Sequence, residues 1–82
     1  MTRAQIEGIF RWLPELEAKY FVDRDDGWVI FLMSARAHLA SLARVQQEIE
    51  AFGDLRGIRY DVEIAIHDKG GRFIIEVKER VA

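Results

Sequence analysis

The sequence predicts an α+β domain in the order α-β-β-α-β-β. Three observations carry that prediction. Apolar residues recur at helical spacing over residues 6–13 and again over 35–52, two strand-like runs flank Asp26-Gly27, and strict alternation runs on both sides of Gly70-Gly71. The economical packing is one antiparallel four-stranded sheet with both helices on one face. The expected strand order is 3-4-2-1, which matches a circularly permuted ferredoxin-like layout. Topology alone carries this reading. The length fits one domain, residues 1–82.

The first helix opens on a capping box. Thr2 can accept from the amide three residues on, and Gln5 can reach back. Ile6, Ile9, Phe10 and Leu13 then form one stripe with Trp12 at its edge. Pro14 lacks an amide proton and disfavours helical geometry at Leu13, so the helix is expected to end near Leu13. The rival is a kink at Pro14 with the helix running on to Tyr20. After Pro14, Leu16, Ala18, Tyr20 and Val22 alternate with Glu17, Lys19, Phe21 and Asp23, the period of a strand. Arg24-Asp25-Asp26-Gly27 is turn chemistry, and Trp28 to Met33 supplies the second strand of a hairpin.

Ser34 is the expected cap of a second helix reaching about Phe52, with Ala35, Leu39, Leu42, Val45, Ile49 and Phe52 on one side. Gly53 suits the left-handed position that ends many helices. In the last third, Ile58, Tyr60, Val62, Ile64 and Ile66 alternate with Arg59, Asp61, Glu63, Ala65 and His67. Phe73, Ile75 and Val77 alternate with Ile74, Glu76, Lys78 and Arg80. A two-residue Gly70-Gly71 turn sets Ile66 opposite Ile75, Glu63 opposite Lys78 and Asp61 opposite Arg80. A slip by two sets Glu63 against Glu76 and Arg59 against Arg80, at about 0.2–1 kcal/mol per like-charge pair. Charge therefore favours the tight turn.

Composition narrows function more than motifs do. Half the residues are apolar, 32% are charged, the formal net charge is −2 and cysteine is absent. That excludes a disulfide scaffold and a cysteine-zinc site, and it argues against a generic nucleic-acid binder. The longest apolar run, Trp28 to Met33, is far short of the roughly 20 residues that span a bilayer. A cysteine-free chain without a signal-like segment is expected to be cytoplasmic.

Few constellations point to chemistry. Asp23-Arg24-Asp25-Asp26-Gly27 lacks the ligand spacing of a calcium loop and reads as a solvated turn. Gly70-Gly71, flanked by Lys69 and Arg72, lies between strands and opens no helix, so it is no phosphate loop. Neither serine sits in a nucleophile elbow. His38 on the apolar side of the second helix and Glu79 at an inward position of the last strand are the one acid–base pair worth naming. His67 lies on the charged phase. Arg59, Lys78 and Arg80 would serve nucleic acid, but Asp61, Glu63 and Glu76 interleave them.

The strongest signal is a surplus. The second hairpin alternates strictly, whereas Trp28 to Met33 is apolar in both phases. One phase sends Phe21, Trp28, Ile30 and Leu32 outward; the other sends Val29, Phe31 and Met33 outward, again with Phe21. Either way an apolar patch of about 300–600 Å² is expected on the face away from the helices, a size at which such patches are often functional. The alanines at 37, 40, 43 and 51 make a weaker second surface. The expected function is a non-enzymatic protein-interaction module of regulatory, adaptor or inhibitor type. It is expected to be homodimeric through this face and to need neither cofactor nor metal. The alternatives are a small enzyme or ligand-binding subunit using His38 and Glu79, and nucleic-acid binding through the sheet.

Overall fold

In the computed structural model, residues 1–33, 39–66 and 72–80 are described. Helix α1 spans Arg3–Arg11, a 3-10 turn covers Pro14–Leu16, and strands β1 (Ala18–Arg24) and β2 (Gly27–Leu32) follow. Helix α2 (Leu39–Asp54) precedes β3 (Arg59–Ile66) and β4 (Phe73–Arg80). The four strands form one antiparallel sheet in the order β1-β2-β4-β3, which is 3-4-2-1 read from the other edge. Among the described residues no helix is long and apolar enough to cross a membrane.

The capping box forms as expected. The Thr2 hydroxyl accepts from the Gln5 amide at 3.2 Å, and the Gln5 side chain accepts from the Thr2 amide at 2.8 Å. α1 then runs only to Arg11, and Pro14 starts a separate 3-10 turn. The continuous kinked helix is thereby excluded. The turn also takes Leu16 out of the expected strand and places it in the core. Glu17 follows in the left-handed region at φ 50°, a conformation that re-aims the chain into β1.

The β1–β2 pairing is irregular. Ala18 faces Leu32 but Tyr20 faces Phe31, so Lys19 is an extra residue in a bulge. One inserted residue exchanges the faces of everything after it. Phe21 and Asp23 therefore lie on the helix side, opposite Ile30 and Trp28, while Tyr20 and Val22 lie on the far side. Unbroken alternation gave the reverse, with Phe21 outward.

α2 delivers Leu42, Val45 and Ile49 to the core, and Phe52 packs against it. Gly53 does not end the helix; it is buried within it. A Cβ there would collide with the Ile58 carbonyl and come within 2.8 Å of the Tyr60 ring. The glycine thus permits close approach of helix and strand. The left-handed residue of this connection is Gly57, at φ 69°. Ser34, Ala35, Ala37, His38, His67 and the Gly70-Gly71 pair lie outside the described residues.

The second hairpin takes the register that charge disfavoured. Its pairs run from Arg59 opposite Arg80 to Ile66 opposite Phe73, with Glu63 facing Glu76 and Asp61 facing Lys78. Ile66 opposite Phe73 is the last pair among the described residues, where a Gly70-Gly71 turn would have set Ile66 opposite Ile75. A slip by two keeps every side chain on its face, so burial does not oppose it. This register aligns Phe21, Ile30, Ile75 and Ile64 in one row beneath the helices, and Trp28, Val77 and Val62 in the next. Arg80 escapes Arg59 by turning diagonally to Asp61, at 3.6 Å. Exposed charge pairs contribute only about 0–1 kcal/mol, so the like-charge cost of this register is small.

The core gathers Ile6, Phe10 and Leu13 from the first helical segment, Leu42, Val45 and Ile49 from α2, and Trp28, Ile30, Leu32, Tyr60, Ile75 and Val77 from the sheet. Both helices thus cover the same face.

Candidate interaction surface and hairpin-tip cleft

Among the described residues no helix lies on the other face of the sheet, and the strand pairings arrange its side chains in rows. Tyr20, Phe31, Ile74 and Ala65 form one row, and Val22, Val29, Glu76 and Glu63 the next. Arg24, Gly27, Lys78 and Asp61 follow, and Arg80 with Arg59 ends the series. The face is therefore graded, apolar at one end and charged at the other. Tyr20 is 54% exposed and Val22 40%. Phe31 and Ile74 are half-buried. Val29 is only 6% exposed yet stands outside the main core cluster, because its burial comes from neighbours on this outer face.

This fixes the phase that the sequence left open. Trp28, Ile30 and Leu32 belong to the core, so they are not an outward surface. Phe21 belongs with them: it meets Phe10 edge-on, with ring centroids 5.7 Å apart. Val29 and Phe31 are the outward pair. Met33, just beyond β2, donates its amide to the Glu17 carbonyl and lines a shallow cleft with Glu17, Ala18 and Lys19. The sequence reading missed Tyr20 and Val22, whose outward placement depends on the bulge. It also passed over Ile74, the large apolar residue in the otherwise charged phase of β4, which was a legible signal.

At the charged end, Gly27 leaves a gap between Arg24 and Lys78. The result is a cleft of about 310 Å³ whose walls also include Asp26, Glu76 and the Val29 side chain. No side chain fits at Gly27, since a Cβ would collide with the Val77 carbonyl. The charged residues lining this cleft are two acids and two bases, so it has no electrostatic preference. Arg59, Lys78 and Arg80 share the outer face, but Arg80 is committed to Asp61, and Asp61 and Glu63 interrupt them.

A second cleft, of about 130 Å³, lies at the tip of the first hairpin. It is lined by Asp23, Arg24, Asp25, Asp26, Gly27, Trp28, Met1, Tyr60 and Glu79. The Glu79 amide donates to the Asp26 carbonyl at 2.6 Å, tying the tip to the end of β4. Trp28 donates its indole N–H to the Met1 carbonyl at 3.0 Å, and the Arg3 guanidinium lies 5.5 Å from the centre of its ring. Tyr60 is 7% exposed, and its buried hydroxyl finds no hydrogen-bond partner among the described residues. Burial pushes the Tyr60 phenol above its usual value; nearby Glu79 adds to this and Arg56 opposes it. Tyr60 is thus a neutral hydroxyl at physiological pH, able to donate and to accept.

Glu79 stands opposite Tyr60 in the sheet, and His38, the other half of the expected pair, lies outside the described residues. Among the described residues no three acidic or imidazole groups converge to hold a metal ion. Comparison with known proteins finds no family model, curated protein or solved structure that matches the chain.

Proposed function

We propose that the protein is a non-enzymatic interaction module of regulatory, adaptor or inhibitor type, and that it pairs with a second copy through the apolar end of its outer sheet face. The observation carrying this reading is the row Tyr20, Phe31 and Ile74 beside Val22 and Val29, on a sheet face that neither helix covers. Tyr20 and Val22 are exposed, Phe31 and Ile74 are half-buried and Val29 is nearly covered, so the patch is modest beside the roughly 800 Å² per partner of a standard stable interface, which fits weak, reversible pairing. A two-fold axis through the patch lets the same residues meet themselves. The layout is read as a permuted ferredoxin-like one, and the cysteine-free composition fits a cytoplasmic setting.

Phe31→Asp tests the reading. A charge in the centre of the apolar row is expected to abolish pairing while leaving circular dichroism and cooperative unfolding intact. In sedimentation equilibrium the unmodified chain is expected to exceed its 9.5 kDa monomer mass with rising concentration. The Phe31→Asp chain should stay at that mass. A strictly monomeric unmodified chain would remove self-pairing.

A further inference from the structure

We propose that β3 is a docking strand, and that it takes an extended peptide segment of alternating basic and aliphatic residues as a fifth strand of the sheet. The sheet has two edges, β1 and β3, and they are built differently. β1 is blunted. The Lys19 bulge breaks its pairing, and the Arg3 guanidinium occupies its Phe21 carbonyl at 3.0 Å. Bulges and edge lysines are means by which sheets keep other chains from adding to them. β3 has neither. Each residue from Arg59 to Ile66 has its partner in β4 without a register shift. Among the described residues no side chain hydrogen-bonds the β3 backbone. Such an edge presents a row of backbone N–H and C=O groups to an incoming strand.

The side chains say what that strand must carry. On the helix side, Val62 is half-buried, while Ile64 is 36% exposed and Ile66 68%. Directly opposite residues share a face, so aliphatic residues on the added strand would lie beside these three. On the other side, Glu63 is exposed, faces Glu76 and has no ion-pair partner among the described residues. Asp61 is exposed as well, with Arg80 at 3.6 Å. Bases opposite Asp61 and Glu63 complete this side. They stand two residues apart, with an aliphatic residue between them opposite Val62.

The same acids disfavour a second copy of β3. About a two-fold axis, a pairing centred on Asp61, Val62 or Glu63 sets acid against acid. One centred on Ile64 gives Glu63 only Ala65, and one centred on Tyr60 leaves Ile64 and Ile66 uncovered. A basic strand meets no such conflict, so the charges reject one partner while attracting another. Strand addition captures peptides in this way: backbone bonds supply affinity and alternate side chains supply specificity. The site stands independently of self-pairing through the outer face, and it gives the module a place for a partner other than itself.

The test is titration of the full chain with the acetylated, amidated peptide Val-Thr-Ile-Lys-Val-Lys at constant ionic strength, followed by amide NMR and hydrogen exchange. Run antiparallel to β3, this peptide sets its lysines opposite Glu63 and Asp61 and its aliphatic residues opposite Val62, Ile64 and Ile66. Saturable shifts over residues 61–66 are expected, at a dissociation constant on the order of 1 mM. Alternate amides of β3 should exchange more slowly in the complex. The peptide with glutamate for both lysines should bind about tenfold more weakly, since two opposite-charge pairs become like-charge pairs. N-methylation of alternate peptide amides should abolish binding in one of its two phases, the phase that faces β3. Glu63→Lys should weaken the lysine peptide by about threefold or more while leaving the protein folded, because it also removes the opposition to Glu76. Phe31→Asp should leave the constants unchanged, which separates this site from the outer-face patch. Equal binding of the lysine and glutamate peptides, binding undiminished by N-methylation in both phases, or no saturation by about 10 mM peptide would overturn the proposal. So would shifts over residues 61–66 that grow with protein concentration alone, which would assign the edge to a second copy.

Discussion

In the first hairpin, β2 buries side chains on both of its faces, with Trp28, Ile30 and Leu32 against the helices and Val29 against its outer neighbours. In the second hairpin, β3 alternates without fault and yet buries only Tyr60; Ile64 and Ile66 face the helix side but are exposed, Ile66 at 68%. Position in the sheet explains the contrast. β2 is central, between β1 and β4, whereas β3 is an edge with a neighbour on one side only. Apolar alternation therefore says which face a residue takes, and location in the sheet says how much of it is covered.

The comparison can be broken most severely at Gly27, where β2 begins. Gly27→Ala drives a methyl group into the Val77 carbonyl at the β2–β4 seam. Backbone must shift, and a loss of more than about 3 kcal/mol is expected in urea unfolding, among the large effects of single substitutions. Next is the central core. Ile30→Ala should cost about 2–5 kcal/mol, as truncation of a fully buried aliphatic residue does. Ile66→Ala, the same change at the exposed end of β3, should cost less than about 1 kcal/mol. Equal losses at the two sites would refute the distinction between central and edge strands.

Tyr60 gives a smaller effect of opposite sign. Tyr60→Phe should gain about 1 kcal/mol by removing an unsatisfied buried hydroxyl. The same residue adds a pH dependence. Because burial raises its folded-state pKa, the unfolded chain releases the phenolic proton first as pH rises. Stability from this group is complete below the unfolded value of about 10 and falls as pH climbs through the folded one. Unfolding free energy should drop above about pH 10 more steeply in the unmodified protein than in Tyr60→Phe.

The smallest effect sharpens the register. Glu63 faces Glu76, so Glu63→Lys should stabilise by about 0.2–1 kcal/mol by making an opposite-charge pair. In the register with a Gly70-Gly71 turn, Glu63 would face Lys78, and the same substitution would destabilise. The sign of the change decides between them.

Much of the architecture was legible in the residues. Element order and the Thr2–Gln5 capping box follow from local chemistry, and the strand order follows from economical packing of those elements. What escaped has identifiable causes. The Lys19 bulge leaves no mark in the alternation of β1, yet it moves Phe21 into the core and brings Tyr20 and Val22 out. The register of β3 and β4 is poorly specified by exposed charges, which contribute little, and a slip by two leaves every side chain on its face. For the candidate surface, the apolar surplus of residues 28–33 was visible, but its phase was not, because both phases are apolar. The hairpin-tip cleft brings together residues near 23–28, 60 and 79, a juxtaposition that only the β2–β4–β3 order creates.

The central claim is that the outer-face surplus of β2 serves contact with a second copy. The most direct measurement is the concentration dependence of backbone amide chemical shifts, from dilute solution up to about 1 mM, the range in which weak pairing becomes populated. The account predicts shifts that grow with concentration and cluster at Tyr20, Val22, Val29, Phe31 and Ile74, and that vanish in Phe31→Asp. A spectrum unchanged over that range, or changes confined to the helices, would contradict it.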